Sequence, residues 1–306
     1  MSMRKFYLLF ALCFAVSVSN AQRIVADDVI DNTVETPVGN TAENPVGKNP
    51  MTFNVSLHAG MASIANHYMS ANSYDGMIYG MHVDFGRFYK SSKGASWNLA
   101  FDRYSSENVV EGLVNDAKTS SMSYKALSLN FSSFYNWMFG KGLTFKLGGG
   151  VDVSGDLIRN LTHPTNNAAS LNVLAQLEVA AGLSYTFQFE KWMLALYGNV
   201  STPFGGMVFT DAKHESGIGS LSRDGFMNNY FSHIRGVSFT NLKEVDFDLG
   251  VKFIARRVAI DLGIVSENRY WYVNDIQNSR TNMMFRLGAT FNLVSLEQTK
   301  TIHRYF

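Results

Sequence analysis

Charged side chains recur at every second position in several segments of the chain, and they are the first candidates for chemistry. Nearly all of them have apolar neighbours on both sides. Since alternate residues of a β-strand point to opposite faces, this spacing predicts one shared polar face. The predicted inward-facing residues are His58, His82, Asp84, Asp102, Lys146, Asp152, Glu178, Asp246, Asp248, Lys252, Asp261 and Arg286. We expect the acids to pair with Lys146, Lys252 and Arg286, because buried charges need partners.

A second group of reactive residue types lies in segments without this alternation. They are Asp211, His214 and Glu215 in one segment, and His67, His163 and His233 in others. An Asp–His pair can activate water and a Ser–His pair can form acyl intermediates, but no spacing ties these residues to one site. The sequence has no Walker loop, GxSxG elbow, HExxH motif or EF-hand loop. We therefore expect no enzyme, no metal site and no cofactor.

Ten segments with a period of two must position the polar residues. One face of each is apolar, and the other consists mostly of glycine and small polar residues. The segments are 52–61, 77–86, 97–102, 127–132, 143–154, 171–189, 192–200, 245–253, 258–264 and 282–293.

Two architectures explain such alternation, namely a soluble β-sandwich and a membrane barrel. The outer face of a sandwich is normally charged, whereas small residues suit a crowded lumen. Most runs have about 9 to 13 residues, close to the roughly 9–11 that a tilted transmembrane strand needs, whereas globular strands average about 5–6. The sequence therefore predicts an all-β fold, an antiparallel up-and-down transmembrane β-barrel of about ten strands.

Short and long connections alternate between these strands. The short turns lie near 89–94, 140–142, 190–191 and 255–257, and the long connections are 63–75, 105–121, 155–169, 202–241 and 267–280. Outer-membrane barrels have short periplasmic turns and longer outer loops, so both barrel ends should be periplasmic. An extra hairpin within 202–241 would give the alternative of 12 strands. Aromatic residues cluster beside the short turns, as in the girdles of such barrels.

The first 21 residues have the features of a secretory signal peptide. Arg4 and Lys5 precede the apolar run 6–16, and the small residues Ser19 and Ala21 precede Gln22. An N-terminal membrane anchor is the alternative, but the apolar run is shorter than the roughly 20 residues that a membrane helix needs. We expect export to the cell outer membrane with cleavage after Ala21.

The remaining chain divides by composition. Residues 22–50 contain most of the prolines and predict a flexible periplasmic arm, residues 51–294 form the predicted barrel, and 295–306 form a C-terminal tail. Phe306 is a terminal aromatic residue, as in many outer-membrane barrels, although the last strand can also end at 291–293. The single cysteine, Cys13, lies in the signal segment, so the mature chain can form no disulfide.

Composition limits the partners of the chain. The formal charge is +1 and charged residues make up 17% of the sequence, against roughly 25% in an average globular protein. No bulk field favours nucleic acid. The expected partners are outer-membrane lipid and an unidentified extracellular or periplasmic molecule.

The second half of the sequence resembles an uncharacterised family of Bacteroidota outer-membrane barrels with signal peptides and about 300 residues. The resemblance rests on the segments 201–211 (STPFGGMVFTD) and 238–253 (SFTNLKEVDFDLGVKF), and on the final MMFRLGATFNL strand. Pro203 to Gly206 fits the Pro-x-x-Gly segment of that family, but its Ser-Tyr-Tyr-Glu-like stretch does not follow at 211–219. The resemblance implies the barrel and assigns no functional residue.

Three functions fit these expectations. The first is a structural or partner-binding barrel with a narrow, side-chain-filled polar lumen, because a barrel of about eight strands is filled by its side chains. The alternative is a small-solute channel. A loop-borne lipid-modifying enzyme or protease is the second alternative.

Overall fold

The fold was analysed in a computed structural model of the chain. It describes residues 51–69, 73–88, 94–110, 120–139, 142–161, 169–210, 233–255 and 258–293. The predicted signal peptide, N-terminal arm and C-terminal tail, including Phe306, lie outside the described residues. No helix among the described residues is long and apolar enough to cross a membrane.

The described chain is built from antiparallel β-strands in sequence order. The strands are β1 Met51–Asn66, β2 Ser73–Phe88, β3 Ala95–Val110, β4 Ser120–Phe139, β5 Leu143–Asn160, β6 Ala169–Gln188, β7 Met193–Phe209, β8 Ile234–Ser238, β9 Leu242–Ala255, β10 Val258–Val273 and β11 Ile276–Asn292. Neighbouring strands pair from β1 onward, and β11 pairs with β1 from Thr52↔Asn292 to Asn66↔Asn278. The sheet therefore closes into a barrel.

Strands β8 and β9 occupy one position in the wall. β9 pairs with the first part of β7, from Met193↔Ile254 to Ser201↔Asp246. β8 pairs with the last part of β7, from Gly205 to Phe209. The two strands run in the same direction along β7, so the barrel has ten wall positions. This confirms the predicted ten-stranded barrel, and the alternative of twelve strands is not needed.

The strands extend further toward the long-loop side than the alternation predicted. Apart from β8, they contain 14 to 20 residues. The predicted long connection 267–280 is wrong, because β10 and β11 continue through it to the turn residues Asn274 and Asp275. Both residues have positive φ, 55° and 60°, as a two-residue hairpin turn requires. The two-residue alternation cannot be recognised in this part of the sequence, because polar residues lie on both faces of the strands. Asn278 and Arg280 are among those that are buried inside the barrel.

The outer wall of the barrel is apolar. Leu57 is 61% exposed, Phe285 69% and Leu287 57%, and these three side chains lie on the adjacent strands β1 and β11. Exposed rings lie beside the short turns, among them Tyr135, Trp137, Phe139, Tyr185, Phe187, Phe189 and Trp192. Monomeric soluble proteins rarely expose such continuous apolar surface, and in lipid it is favourable.

Candidate functional site

The structure places all twelve predicted inward-facing residues around two cavities inside the barrel. The inner cavity, of about 300 Å³, is lined by His58, His82, Asp102, Lys146, Asp152, Glu178, Asp246, Asp248 and Arg286 among others. The mouth cavity, of about 350 Å³, is lined by Asp84, Lys252 and Asp261, and by Thr52, Phe88 and Thr144 next to the short-turn end of the barrel. His82, Lys146, Asp248 and Arg286 line both cavities.

Glycines on the inner face give these side chains room. A Cβ atom on Gly182 would lie 2.3 Å from Cε of Lys146, and one on Gly250 would lie 2.4 Å from the hydroxyl oxygen of Tyr197. Both distances are far below van der Waals contact. The small residues of the polar face are therefore needed opposite its long side chains.

His82 is held between two carboxylates. Its Nδ1 lies 2.7 Å from Oδ1 of Asp102, and its Nε2 lies 3.1 Å from Oδ2 of Asp84. Asp102 also accepts hydrogen bonds of 3.3 Å from the hydroxyl groups of Tyr104 and Ser128. An ionised carboxylate can only accept, so both contacts are satisfied by an imidazolium that donates from both nitrogens.

His58 extends this cluster toward β1. Its ring stacks on that of His82 with 6.0 Å between centroids, and its Nε2 lies 3.1 Å from Oγ of Ser56. Ser56 is only 1% exposed and His58 only 5%. The pair is packed inside the barrel, and His58 lies in the wall of the inner cavity.

Arg286 is the centre of a second cluster. Its Nη2 lies 2.7 Å from Oδ1 of Asp248 and 3.5 Å from Oδ2 of Asp261. Asp261 is also 3.9 Å from Nζ of Lys252 and accepts a 2.7 Å hydrogen bond from the hydroxyl of Tyr197. The expected ion pairs of Lys252 and Arg286 are therefore present.

Among the described residues, Lys146 does not form the ion pair with an acid that the sequence predicted for it. It forms no ion pair with any carboxylate in the described ranges, and its Nζ lies instead 4.9 Å from the centroid of the Phe134 ring. A cation over an aromatic face is stabilised by the ring quadrupole. The sequence pattern could not identify this partner, because Phe134 and Lys146 lie on different strands.

The sequence-based prediction missed a third group of charges nearer the long loops. Nη2 of Arg269 lies 2.6 Å from Oε1 of Glu244, and Nη2 of Arg280 lies 3.0 Å from Oε2 of Glu267. Arg280 also donates to the hydroxyl of Tyr124. Glu267 and Arg269 continue the two-residue spacing of Asp261 along β10, so extending the strand would have found them.

Apolar side chains pack inside the barrel on the same side. We call these residues the loop-side plug. They form two buried clusters, Ala62, Ile64, Tyr74, Ile78, Tyr104, Met122, Tyr124, Ala126, Ile158, Val265 and Met284, and Leu174, Val208, Val237, Leu242, Trp271 and Val273. The lumen is therefore charged at its centre, and toward the long loops its filling combines these apolar clusters with the buried ion pairs of Arg269 and Arg280.

The other candidate residues form no described site. His233 is buried, and its Nδ1 lies 3.2 Å from the backbone oxygen of Thr210. Asp211, His214, Glu215 and His163 lie outside the described residues. In the part of the chain that the structure describes, no group of three His, Cys, Asp or Glu side chains has the geometry of a metal site.

A closed antiparallel barrel with an apolar outer wall and a charged lumen defines the class of transmembrane β-barrels. Within that class, the chain belongs to the family described as proteins of unknown function (DUF3316), whose profile matches residues 7–300. A search of curated proteins found no significant match.

Several solved structures have a similar fold. The outer membrane protease OmpT from Escherichia coli is 8% identical with a TM-score of 0.46, and the match covers 81% of this chain and 98% of OmpT. The translocator domain of the autotransporter NalP from Neisseria meningitidis is 11% identical with a TM-score of 0.41, covering 92% of this chain and 97% of that domain. Neisserial surface protein A is 12% identical with a TM-score of 0.33, covering 79% and 97%.

Proposed function

We propose that this protein is an outer-membrane barrel with a lumen filled by its own side chains, and that its role is structural or partner-binding. The observation that carries the proposal is the loop-side plug, which packs between the charged centre of the lumen and the long loops. A continuous water-filled path would have to cross these closely packed, buried side chains. The proposal includes no catalytic step.

The location in the outer membrane is supported by the sequence and by the wall. The outward-facing band contains five apolar residues on one face of β1, from Phe53 to Met61, which matches the length of a tilted membrane strand. The N-terminal segment has the features of a signal peptide for export. The resemblance to Bacteroidota barrels supports a Gram-negative source.

A small-solute channel is the second candidate, and the two polar cavities favour it. They share Lys146, Asp248 and Arg286 in their linings, so together they extend from the short-turn end to the centre of the lumen. Displacement of the loop-side plug would complete a path for small polar solutes.

Recording in planar bilayers distinguishes the two candidates. We expect the purified wild-type protein to insert and to give no conductance steps, because its lumen is plugged. An open porin in the same bilayer serves as the positive control. Regular steps would refute the plugged barrel and support the channel. Fractionation tests the location separately, since recovery in the soluble periplasm would contradict an outer-membrane protein.

A further inference from the structure

The inner cavity has more acidic than basic side chains in its wall. Its eight carboxylate residues are Asp102, Asp152, Asp156, Glu178, Glu244, Asp246, Asp248 and Glu267. Its four strongly basic residues are Lys146, Arg269, Arg280 and Arg286, and His58 and His82 complete the titratable groups. The acidic side chains therefore outnumber the basic ones even when both histidines are counted as basic.

The excess lies on one part of the wall. Four of the acids have partners, in the pairs Glu244–Arg269, Glu267–Arg280, Asp248–Arg286 and Asp102–His82. The other four, Asp152, Asp156, Glu178 and Asp246, have no Lys or Arg nitrogen within 4 Å among the described residues, and Asp156 accepts a 2.7 Å hydrogen bond from Nδ2 of Asn172. Glu178 accepts hydrogen bonds only from amides, at 2.8 Å from Gln176 and 3.1 Å from Asn130.

Two acceptor atoms beside this part of the wall have no partner among the described residues. Oδ1 of Asp246 is fully buried and accepts no hydrogen bond. Oε1 of Gln176 is also unpaired, although Gln176 is only 1% exposed. The Nε2 of Gln176 donates to Glu178 and Glu244, two residues that line the inner cavity. A buried carboxylate without a partner is unfavourable, and a bound cation would compensate it.

We propose that the inner cavity is a binding site for a small organic cation with several N–H donors, of the class of primary diamines. Asp246 and Glu178, which both line the cavity, provide the carboxylate partners of its amino groups. The volume of about 300 Å³ is at the lower end of small-molecule pockets. No three carboxylate or histidine groups in the described ranges converge as a metal ion requires, which favours a larger cation with separated donors.

The mouth cavity gives this cation a route from the short-turn side, because the two cavities share Lys146 and Arg286. The inference goes beyond the proposed function, since a plugged barrel need not bind any ligand.

Isothermal titration calorimetry of the full-length protein in detergent micelles tests the site, with 1,4-diaminobutane as the probe and uncharged 1,4-butanediol as its control. We expect saturable binding of the diamine and none of the diol. Asp246→Asn and Glu178→Gln should each weaken binding about tenfold or more, because each replaces a charged acceptor with a neutral amide of nearly the same shape. Asp75→Asn is the matched control, since Asp75 is exposed on the outward face of β2, and its affinity should equal that of the wild type.

Heat-modifiable gel migration establishes that each variant is folded before titration, and Glu178→Gln provides the second test if Asp246→Asn fails to fold. No saturable binding by the wild type would overturn the inference, as would equal affinities of the wild type and both cavity variants. Equal binding of the diol would overturn the role of charge. Conductance steps would refute the plugged barrel alone, and calorimetric silence would refute the cation site alone.

Discussion

Leu287→Arg is the most direct test of the membrane location of the barrel wall. Leu287 lies on the outward face of β11 and is 57% exposed. It pairs with Leu57 on one side and Leu262 on the other, and apolar outward side chains continue in both directions along β11, from Met283 to Phe291. Leu287 is therefore near the middle of the apolar band.

The expected cost follows from this depth. Arginine at the bilayer midplane on the lipid face of a barrel costs about 2–4 kcal/mol of unfolding free energy. The same substitution on the surface of a soluble protein would change the unfolding free energy by only about 0.5 kcal/mol. The loss of unfolding free energy on a lipid-facing wall should therefore exceed that on a soluble surface by at least ~1.5 kcal/mol, a difference that urea titration resolves.

Thr281→Arg is the matched control on the same strand and face. Thr281 is exposed, pairs with Asn268 and lies beyond the apolar band, six residues from Leu287. At roughly 3.4 Å per residue the two positions are about 20 Å apart along the strand, so Thr281 should be near the interface, where arginine costs about 0–1 kcal/mol. Unfolding in phospholipid vesicles would be followed by tryptophan fluorescence. Equal costs at both positions, or no cost at Leu287, would refute the lipid-facing wall.

The same unfolding assay checks three further substitutions. Arg286→Met should cost about 3–5 kcal/mol, because it leaves Asp248 inside the barrel without its cation and Asp261 with only the more distant Lys252; a loss below 1 kcal/mol would show that the ion pairs contribute little. Gly60→Ala should cost about 1–3 kcal/mol, since its Cβ would lie 2.0 Å from the backbone oxygen of Met283, whereas Gly236→Ala has open space within 4 Å and should be nearly neutral. Asn241→Ala should lower the unfolding free energy by roughly 1 kcal/mol and speed amide exchange in β8, because the Asn241 side chain makes two hydrogen bonds to that strand. Unchanged amide exchange would show that these two hydrogen bonds do not stabilise β8.

Much of the fold could be predicted because barrel alternation is a local property. Leu57 and His58 are neighbours in the sequence, and their opposite faces follow from strand geometry alone. The strand prediction failed where apolar and polar residues no longer alternate. Gln277 and Asn278 are both polar, so their outward and inward orientations cannot be distinguished by residue type, and the hairpin at Asn274 was predicted to be a long loop.

The local sequence pattern also could not predict that one wall position is divided between β8 and β9. Val237 and Leu242 are both buried, but the segment between them leaves the wall near Asn241. Whether such segments form a separate hairpin or one interrupted strand depends on their pairing with β7. That pairing joins residues far apart in the chain.

Where apolar and polar residues alternate, the amino-acid sequence determined which side chains enter the lumen, because the two-residue period of a strand assigns each side chain to a face. It did not determine which of them meet. Arg286 pairs with Asp248 across a separation of 38 residues, and Lys146 lies over Phe134 instead of an acid. Those contacts depend on strand register and on closure of β11 against β1, which only the tertiary structure decides. The buried Oδ1 of Asp246, which has no hydrogen-bond partner among the described residues, became visible for the same reason, since the groups that surround a side chain are set by the closed barrel.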